Sequence, residues 1–204
     1  MVMLVAVAGP GAGCAIVGWG LDVVTGGEKS VEVLGGYYGL ADKSVAMIVS
    51  ADDQTLFVQP QAPSMIAKMI GAKIKDVIPT VILIDPQQII AFQEKNPHWN
   101  TLAYGDLIKR FEVDRLLVID LFHFATHEPN NSHVWRGSME GGVYVVEAES
   151  SNPDAFTYSN TVRAKYPPHP VPLLESDSQT IQLGMLELFT QRVINLFYDH
   201  KEMR

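Results

Sequence analysis

The stretch from Val113 to Phe124 is the longest apolar run outside the N-terminus, and it limits strongly which folds are open to this chain. It reads VDRLLVIDLFHF and is rich in branched and aromatic residues. A short helical pattern precedes it, so the run has the properties of a β-strand that is buried on both faces. Such a strand lies inside a sheet that is covered by helices, and the sequence therefore predicts an α/β protein.

The apolar patterns on both sides of this run predict the order β-α-β-α-α-β-β-β-α. The predicted strands are 44–50, 80–84, 115–126, 134–148 and 156–166; the predicted helices are 64–77, 86–95, 101–111 and 177–198. Because helices join the first three strands, we expect these to be mostly parallel, whereas the last two add as hairpins. The result is a single α/β domain with a five-stranded mixed sheet on which the helices pack.

Several local features refine this prediction. The strand 80–84 (TVILI) is expected to be buried, and the last strand is expected near the edge because it is more polar. Residues 127–132 and the segment 51–55 have the composition of polar turns. Gly141-Gly142 predicts a bend or bulge, and the proline-rich residues 167–172 predict a loop.

The N-terminal residues 1–21 carry no charge, and they contain an apolar segment followed by small residues up to Cys14. This pattern is typical of a signal peptide, with an uncleaved membrane anchor as the alternative. The tetrapeptide Gly11-Ala12-Gly13-Cys14 resembles the bacterial lipobox. The resemblance implies that Cys14 is lipidated and becomes the mature N-terminus, with Ala15 favouring the outer membrane.

Residues 22–42 are rich in glycine, which excludes a long regular element. We expect them to form a tether between the membrane and a folded domain at 43–200. Within the tether, Val31 and Val33 predict a short extended piece, and Tyr37 and Tyr38 are expected on the domain surface.

The overall charge restricts the class of partner. The formal net charge is -8, with 15 Lys and Arg against 23 Asp and Glu. A surface that binds phosphate backbones needs clustered basic residues, so we expect no nucleic-acid partner. Because Cys14 is the single cysteine, an intramolecular disulfide and a cysteine-based metal cluster are excluded.

Three carboxylates follow predicted parallel strands: Asp52, Asp53 and Asp85. The carboxyl ends of such strands are a common ligand site, so these side chains are a candidate acidic cluster. A magnesium-dependent phosphate-ester hydrolase would use such a cluster. Asp85 is equally explained as the cap of the helix that begins at Pro86.

The remaining polar and aromatic side chains do not form a recognisable site. His127 and His133 could face each other across a hairpin beside Glu128, but turn residues of this kind are ordinarily surface residues. Asp120, inside the central strand, needs a partner, and Arg115, Arg136 and Arg163 are the candidates. Trp99, Trp135, Tyr37 and Tyr38 are candidates for a recognition surface. The sequence thus predicts no catalytic set, no metal ligands and no cofactor.

The predicted order of elements resembles a group of bacterial envelope proteins: the curli-secretion lipoprotein, the outer-membrane activators of penicillin-binding proteins, and the amino-terminal domain of the Tol translocation protein. Residues 111–118 (FEVDRLLV) resemble their helix-to-strand junction, and residues 143–149 (VYVVEAE) resemble the strand that follows. The chain is also similar to uncharacterised planctomycete-type lipoproteins with a KSVA first strand. Together with the predicted tether and the absence of a recognisable catalytic set, the resemblance favours a lipid-anchored, periplasm-facing module that docks an envelope partner without catalysis. The alternative is the magnesium-dependent hydrolase that uses Asp52, Asp53 and Asp85.

Overall fold

The apolar run after Val113 forms the middle strand of a five-stranded sheet in a computed structural model that describes residues 30–128 and 131–203. The strands are β1 (Ser30–Val33), β2 (Ser44–Ala51), β3 (Ile82–Leu83), β4 (Arg115–Glu128), β5 (Asn131–Glu147), β6 (Tyr158–Pro172) and β7 (His200–Met203). The helices are α1 (Asp53–Val58), α2 (Ala62–Val77), α3 (Pro86–Lys95), α4 (Tyr104–Phe111) and α5 (Ser178–Asn195), with short 3-10 turns at Trp99–Thr101 and Leu173–Glu175.

The sheet has the order β3-β2-β4-β5-β6. β2 is parallel to β3 and β4, whereas β4, β5 and β6 form an antiparallel meander. The central strand is buried on both faces, since Leu116, Leu117 and Ile119 are 0% exposed. These observations confirm the predicted α/β class and the five-stranded mixed sheet.

Helices cover the two faces of the sheet with separate apolar clusters. One face packs against α2 and α5, where Ile70 and Phe189 are fully buried. The other packs against α3 and α4, where Ile89 and Leu107 are buried. Successive apolar side chains of β4 point to opposite faces and contribute to both clusters. For this reason the strand has no polar face.

A strand forms within residues 80–84 as predicted and is parallel to β2, but it is short and its predicted burial is wrong. Only Ile82 and Leu83 are extended, they lie at the edge of the sheet, and Ile82 is 65% exposed. Val81 alone is buried among these residues. An apolar run of five residues fits a buried strand or an edge strand equally well, because its periodicity does not report how many neighbours it has.

The predicted hairpin between β4 and β5 is confirmed, but the strands extend further than predicted, because Glu128 of β4 pairs with Asn131 of β5. The predicted loop at 167–172 is wrong. β6 continues through Pro172 despite four prolines. Proline is tolerated there because β6 is an outer strand and does not need every backbone N–H for pairing. Residues 53–58, predicted within and after a polar turn, form the short helix α1.

The irregularity predicted at Gly141-Gly142 lies on the opposite strand. Leu121 pairs with Gly141 and His123 pairs with Glu140, so Phe122 is the extra residue of a bulge in β4. Gly141 is needed for a different reason. A Cβ there would lie 2.9 Å from Cζ of Phe189 and 3.0 Å from the backbone oxygen of Asp120.

The residues before β2 are tied to the C-terminal end of the chain. β1 contains the extended piece expected at Val31 and Val33, and it pairs antiparallel with β7. Gly36 and Tyr37 both donate backbone hydrogen bonds to the carbonyl of Leu196. The part of the predicted tether that the structure describes is therefore held against the domain; residues 22–29, the signal peptide and Cys14 lie outside the described residues. No helix in the described part of the chain has the length and apolarity needed to cross a membrane.

Candidate binding cleft at the carboxyl ends of the parallel strands

The two central parallel strands, β2 and β4, end beside a cleft of about 820 Å³. Ser50 pairs in register with Asp120, and Ala51 with Leu121, so both strands deliver polar groups to the same edge. Ligands of open α/β sheets bind at this edge because the connecting segments splay apart there. We call this feature the carboxyl-edge cleft.

The floor of the carboxyl-edge cleft carries a serine and a carboxylate. Ser50 donates a hydrogen bond from its hydroxyl to Oδ1 of Asp120. Both side chains are half-buried and both line the cleft. This is the partner that Asp120 requires inside the sheet. The arginine partners considered for it are wrong, since Arg115, Arg136 and Arg163 form their ion pairs with glutamates.

One wall of the cleft begins where β2 turns into α1. Asp52 caps α1, because its Oδ1 accepts a hydrogen bond from the backbone N–H of Thr55 at 2.7 Å. Hydrogen bonding from Thr55 lowers the pKa of Asp52, so this exposed carboxylate is ionised over a wider pH range than usual. Asp53 follows in the first turn of α1 and also lines the cleft.

The opposite wall comes from α3, the 3-10 turn that follows it, and the start of α4. Gln93 anchors α3 to the sheet by donating to the carbonyl of Val49 at 3.1 Å. Glu94, Trp99 and Tyr104 line the cleft on this side. Burial raises the pKa of Tyr104, and the negative charge of Asp120 adds to that increase. The phenol therefore remains protonated and can donate a hydrogen bond at neutral pH.

The charged side chains that line the described cleft are all acidic. Four carboxylates line it, from Asp52, Asp53, Glu94 and Asp120, and no lysine or arginine does among the described residues. Trp99, Tyr104 and Phe122 add aromatic surface. Carboxylates together with aromatic rings attract ammonium and guanidinium groups by charge and by cation–π contact. The arrangement therefore suits a cationic group better than an anionic one.

The three carboxylates predicted as an acidic cluster are placed differently from one another. Asp52 and Asp53 line the cleft, but Asp85 is not among its lining residues. Asp85 caps α3, and its Oδ1 accepts from the N–H of Gln87 at 2.9 Å. Within residues 30–128 and 131–203, no group of three or more His, Cys, Asp or Glu is placed to hold a metal ion. This geometry gives no support to the magnesium-dependent hydrolase.

His127 and Glu128, two residues of the hairpin that was a candidate metal site, have other neighbours. His127 packs its ring on Trp135, with the ring centroids 4.3 Å apart, and Glu128 pairs with Arg136 at 2.8 Å. His123 lies 2.8 Å from the hydroxyl of Ser138 through Nε2. A Ser-His-Asp triad also needs a carboxylate on the other ring nitrogen. In the described residues no carboxylate lies within 4 Å of His123, so the pair does not form a triad.

The aromatic residues proposed for recognition are divided among three places. Trp99 lines the carboxyl-edge cleft. Tyr37 is half-buried and packs on Tyr158, while Tyr38 is 54% exposed and donates to Asp199 at 2.5 Å. Trp135 is half-buried and donates from Nε1 to the carbonyl of Ser176. Only Trp99 therefore belongs to the cleft.

Sequence reasoning missed Glu94, Tyr104 and Phe122 as cleft residues. Ile90 and Glu94 are one helical turn apart, and both line the cleft, so the spacing in α3 could have indicated a shared face. Phe122 is directed to the cleft by the bulge in β4, for which the local sequence offers no signal.

Comparisons with known proteins show no sequence relatives and only distant structural likeness. No protein-family model and no curated protein matches the chain. The lipoprotein GNA1162 of Neisseria meningitidis aligns with a TM-score of 0.46 and 10% identity, over 72% of this chain and 96% of its own. PelC of Paraburkholderia phytofirmans, crystallised as a dodecamer, aligns with a TM-score of 0.44 and 8% identity, over 83% and 98%.

A third structure, the hypothetical protein CT253 of Chlamydia trachomatis, aligns with a TM-score of 0.43 and 15% identity, over 74% of this chain and 90% of its own. Likeness at this level carries no argument about function or assembly. The resemblance to the curli-secretion, penicillin-binding-protein activator and Tol group stays a prediction.

Proposed function

We propose that this protein is a lipid-anchored envelope lipoprotein that docks a partner protein without catalysis, and that a basic segment of the partner occupies the carboxyl-edge cleft. The observation that carries the proposal is the composition of the cleft: four carboxylates and three aromatic rings, without a lysine or arginine among the described lining residues. The anchor rests on the lipobox-like sequence that ends at Cys14.

The chemistry of the cleft supports binding better than catalysis. Asp52 is engaged as a helix cap and the Asp120 carboxylate is hydrogen-bonded by Ser50, so two of the four acidic groups are held in fixed positions. Fixed carboxylates lose little conformational freedom when a cation arrives, which favours affinity. A lysine or arginine side chain can place its stem along Trp99 and Phe122 while its charged head meets the carboxylates.

The test uses the full chain, purified in detergent, and two fluorescent peptides of equal length, one rich in lysine and the other rich in glutamate. We expect the basic peptide to bind, with an affinity that falls as salt is added, because the contact is between charges near the surface. Glu94→Gln and Trp99→Leu should each weaken binding several-fold. Asp106→Asn is the matched control, since Asp106 is an exposed carboxylate of α4 outside the cleft.

Equal binding of the two peptides, or an unchanged affinity in both cleft variants, would contradict this function. If the basic peptide binds as expected, a pull-down from envelope extract identifies the natural partner. The wild-type chain should recover a protein that Glu94→Gln recovers poorly. If no specific protein is recovered, docking is not supported.

A further inference from the structure

β6 is one of the two outer strands of the five-stranded sheet, and only one of its halves has an edge that prolines protect. After Tyr166 the strand contains Pro167, Pro168, Pro170 and Pro172. Proline has no backbone N–H, so this half cannot pair with an added strand. The half from Tyr158 to Tyr166 contains no proline. The first half of the β6 edge is therefore able to accept another strand.

This first half of β6 borders a groove of about 530 Å³, separate from the carboxyl-edge cleft. Residues 160–163 of β6 form one side, and the ribbon of β1 and β7 contributes Val33, His200 and Glu202 to the other. The end of α5 contributes Arg192. Four residues of strand span about 13 Å. The groove, which we call the edge groove, matches a short extended peptide in length.

The backbone of β6 presents hydrogen-bonding groups to the edge groove. The carbonyl of Arg163 accepts a hydrogen bond from the guanidinium of Arg192, a residue of α5. Its backbone therefore points away from β5. In an antiparallel strand, residues two apart point their N–H and C=O groups to the same side. Thr161 shares this orientation and lines the groove, so its N–H and C=O face the groove as well.

The charges around the edge groove favour an acidic ligand. Arg163 pairs with Glu140 at 3.0 Å. Arg192 has no carboxylate within 4 Å in the described part of the chain. Glu202 is the one acidic residue among the described residues that line the groove, and it already contacts His200 at 3.3 Å. An arriving carboxylate would meet the guanidinium of Arg192, which donates to the carbonyl of Arg163 but forms no ion pair within the described residues.

We infer that the edge groove binds an extended acidic segment of a partner protein, which adds to β6 as a further antiparallel or parallel strand. Backbone pairing with Thr161 would supply affinity, and a carboxylate beside Arg192 would supply selectivity. A second copy of this chain is a poorer occupant, because two β6 edges would bring like-charged arginine and lysine side chains together. This surface shares no residue with the carboxyl-edge cleft.

The experiment measures fluorescence anisotropy of two labelled peptides against the full chain in detergent. One peptide alternates valine with glutamate and the other alternates valine with lysine. We expect the glutamate peptide to bind and the lysine peptide to bind much more weakly. Thr161→Pro removes one backbone donor and should weaken binding about tenfold, whereas Thr161→Ala keeps that donor and should bind like the wild type. Arg192→Gln should reduce affinity several-fold.

Equal binding of the two peptides, or Thr161→Pro binding as well as Thr161→Ala, would overturn the inference. If circular dichroism shows that Thr161→Pro is unfolded, amide hydrogen exchange of the wild type decides: protection of the Thr161 N–H by the glutamate peptide supports strand addition, and unchanged exchange refutes it. Self-association through β6 would also contradict the inference, because the occupant of the edge would then be a second copy of this chain and not a partner protein. Glu94→Gln should not alter the affinity for the glutamate peptide, so failure of the cleft and failure of the edge groove are distinguishable.

Discussion

The guanidinium of Arg115 and the carboxylate of Glu149 form a two-point ion pair, with Nη1–Oε2 at 2.5 Å and Nη2–Oε1 at 2.6 Å. Arg115 is only 4% exposed, and its Nε also donates to the hydroxyl of Tyr37 at 3.1 Å. Tyr37 in turn donates to Glu147 at 2.6 Å. This network fastens the segment before β2 and the segment after β5 to the start of the central strand.

Glu149→Gln should lower the free energy of unfolding by about 1 kcal/mol at neutral pH. Losing one partner of a buried arginine is costly, but Glu149 is half-exposed and solvent screens the pair. Hydrogen bonding to Arg115 lowers the pKa of Glu149 from 4.5 to about 2. A carboxyl group with a lowered folded pKa stabilises the protein above its unfolded pKa, and this contribution is lost as pH falls toward 2.

Urea unfolding at several pH values between neutral and 2 checks this prediction. The difference in stability between the wild type and Glu149→Gln should shrink as pH falls from 4.5 toward 2. Asp106→Asn is the control, because Asp106 and Lys109 form a surface pair with side chains 67% and 78% exposed. A difference that stays constant down to pH 2 would show that Arg115 does not depend on the charge of Glu149.

Gly141→Ala should destabilise the protein by about 1–3 kcal/mol, the usual cost of overpacking a core. The added methyl group would lie 2.9 Å from Cζ of Phe189 and 3.0 Å from the backbone oxygen of Asp120. The double variant Gly141→Ala/Phe189→Leu should recover part of this loss relative to the sum of the single changes. Additive single effects in thermal unfolding would mean that the two residues are not in contact.

Asp85→Ala should cost about 1 kcal/mol, because Asp85 caps α3 through the N–H of Gln87. Asp53→Ala should cost less than about 0.5 kcal/mol, since Asp53 is an exposed residue in the first turn of α1 and does not cap it. Unfolding is measured with and without magnesium chloride. A magnesium-dependent stabilisation of the wild type that both variants abolish would revive the hydrolase.

Asp120→Asn should lower the pKa of Tyr104 toward its ordinary value. Burial is the first cause of the raised pKa, and Asp120 contributes because a nearby negative charge disfavours the tyrosinate. Removing that charge leaves burial in place, so the pKa should fall without becoming normal. The measurement is an NMR titration of ring-labelled tyrosine. Glu147→Gln serves as the control, because Glu147 acts on Tyr37 instead.

Cys14→Ser should release the protein from the membrane fraction. The lipobox-like sequence predicts that the mature chain begins at acylated Cys14, and several acyl chains on one residue give durable anchoring. Mass spectrometry of the detergent extract should find the lipid on Cys14 in the wild type, and cell fractionation should find the variant in the soluble fraction. A wild-type chain that retains Met1 and is soluble would exclude the anchor.

Local sequence patterns were sufficient to predict the central strand, the parallel pairing around it and the cap at Asp85. These features depend on apolar periodicity, on the lengths of the connections and on residue types that act within a few positions, all of which are local. Asp52 and Asp53 were likewise placed at the correct edge of the sheet, because they follow directly after β2.

Tertiary structure alone decided which side chains meet. Ser50 and Asp120 are 70 positions apart and touch because β2 and β4 are aligned in one particular register. β1 pairs with β7 from the opposite end of the described chain. Phe122 lines the carboxyl-edge cleft because of the bulge in β4. Asp85 does not line the cleft. The periodicity of a strand indicates the face of the sheet on which each side chain lies. Which strands become neighbours, and in which register, depends on contacts between distant parts of the chain.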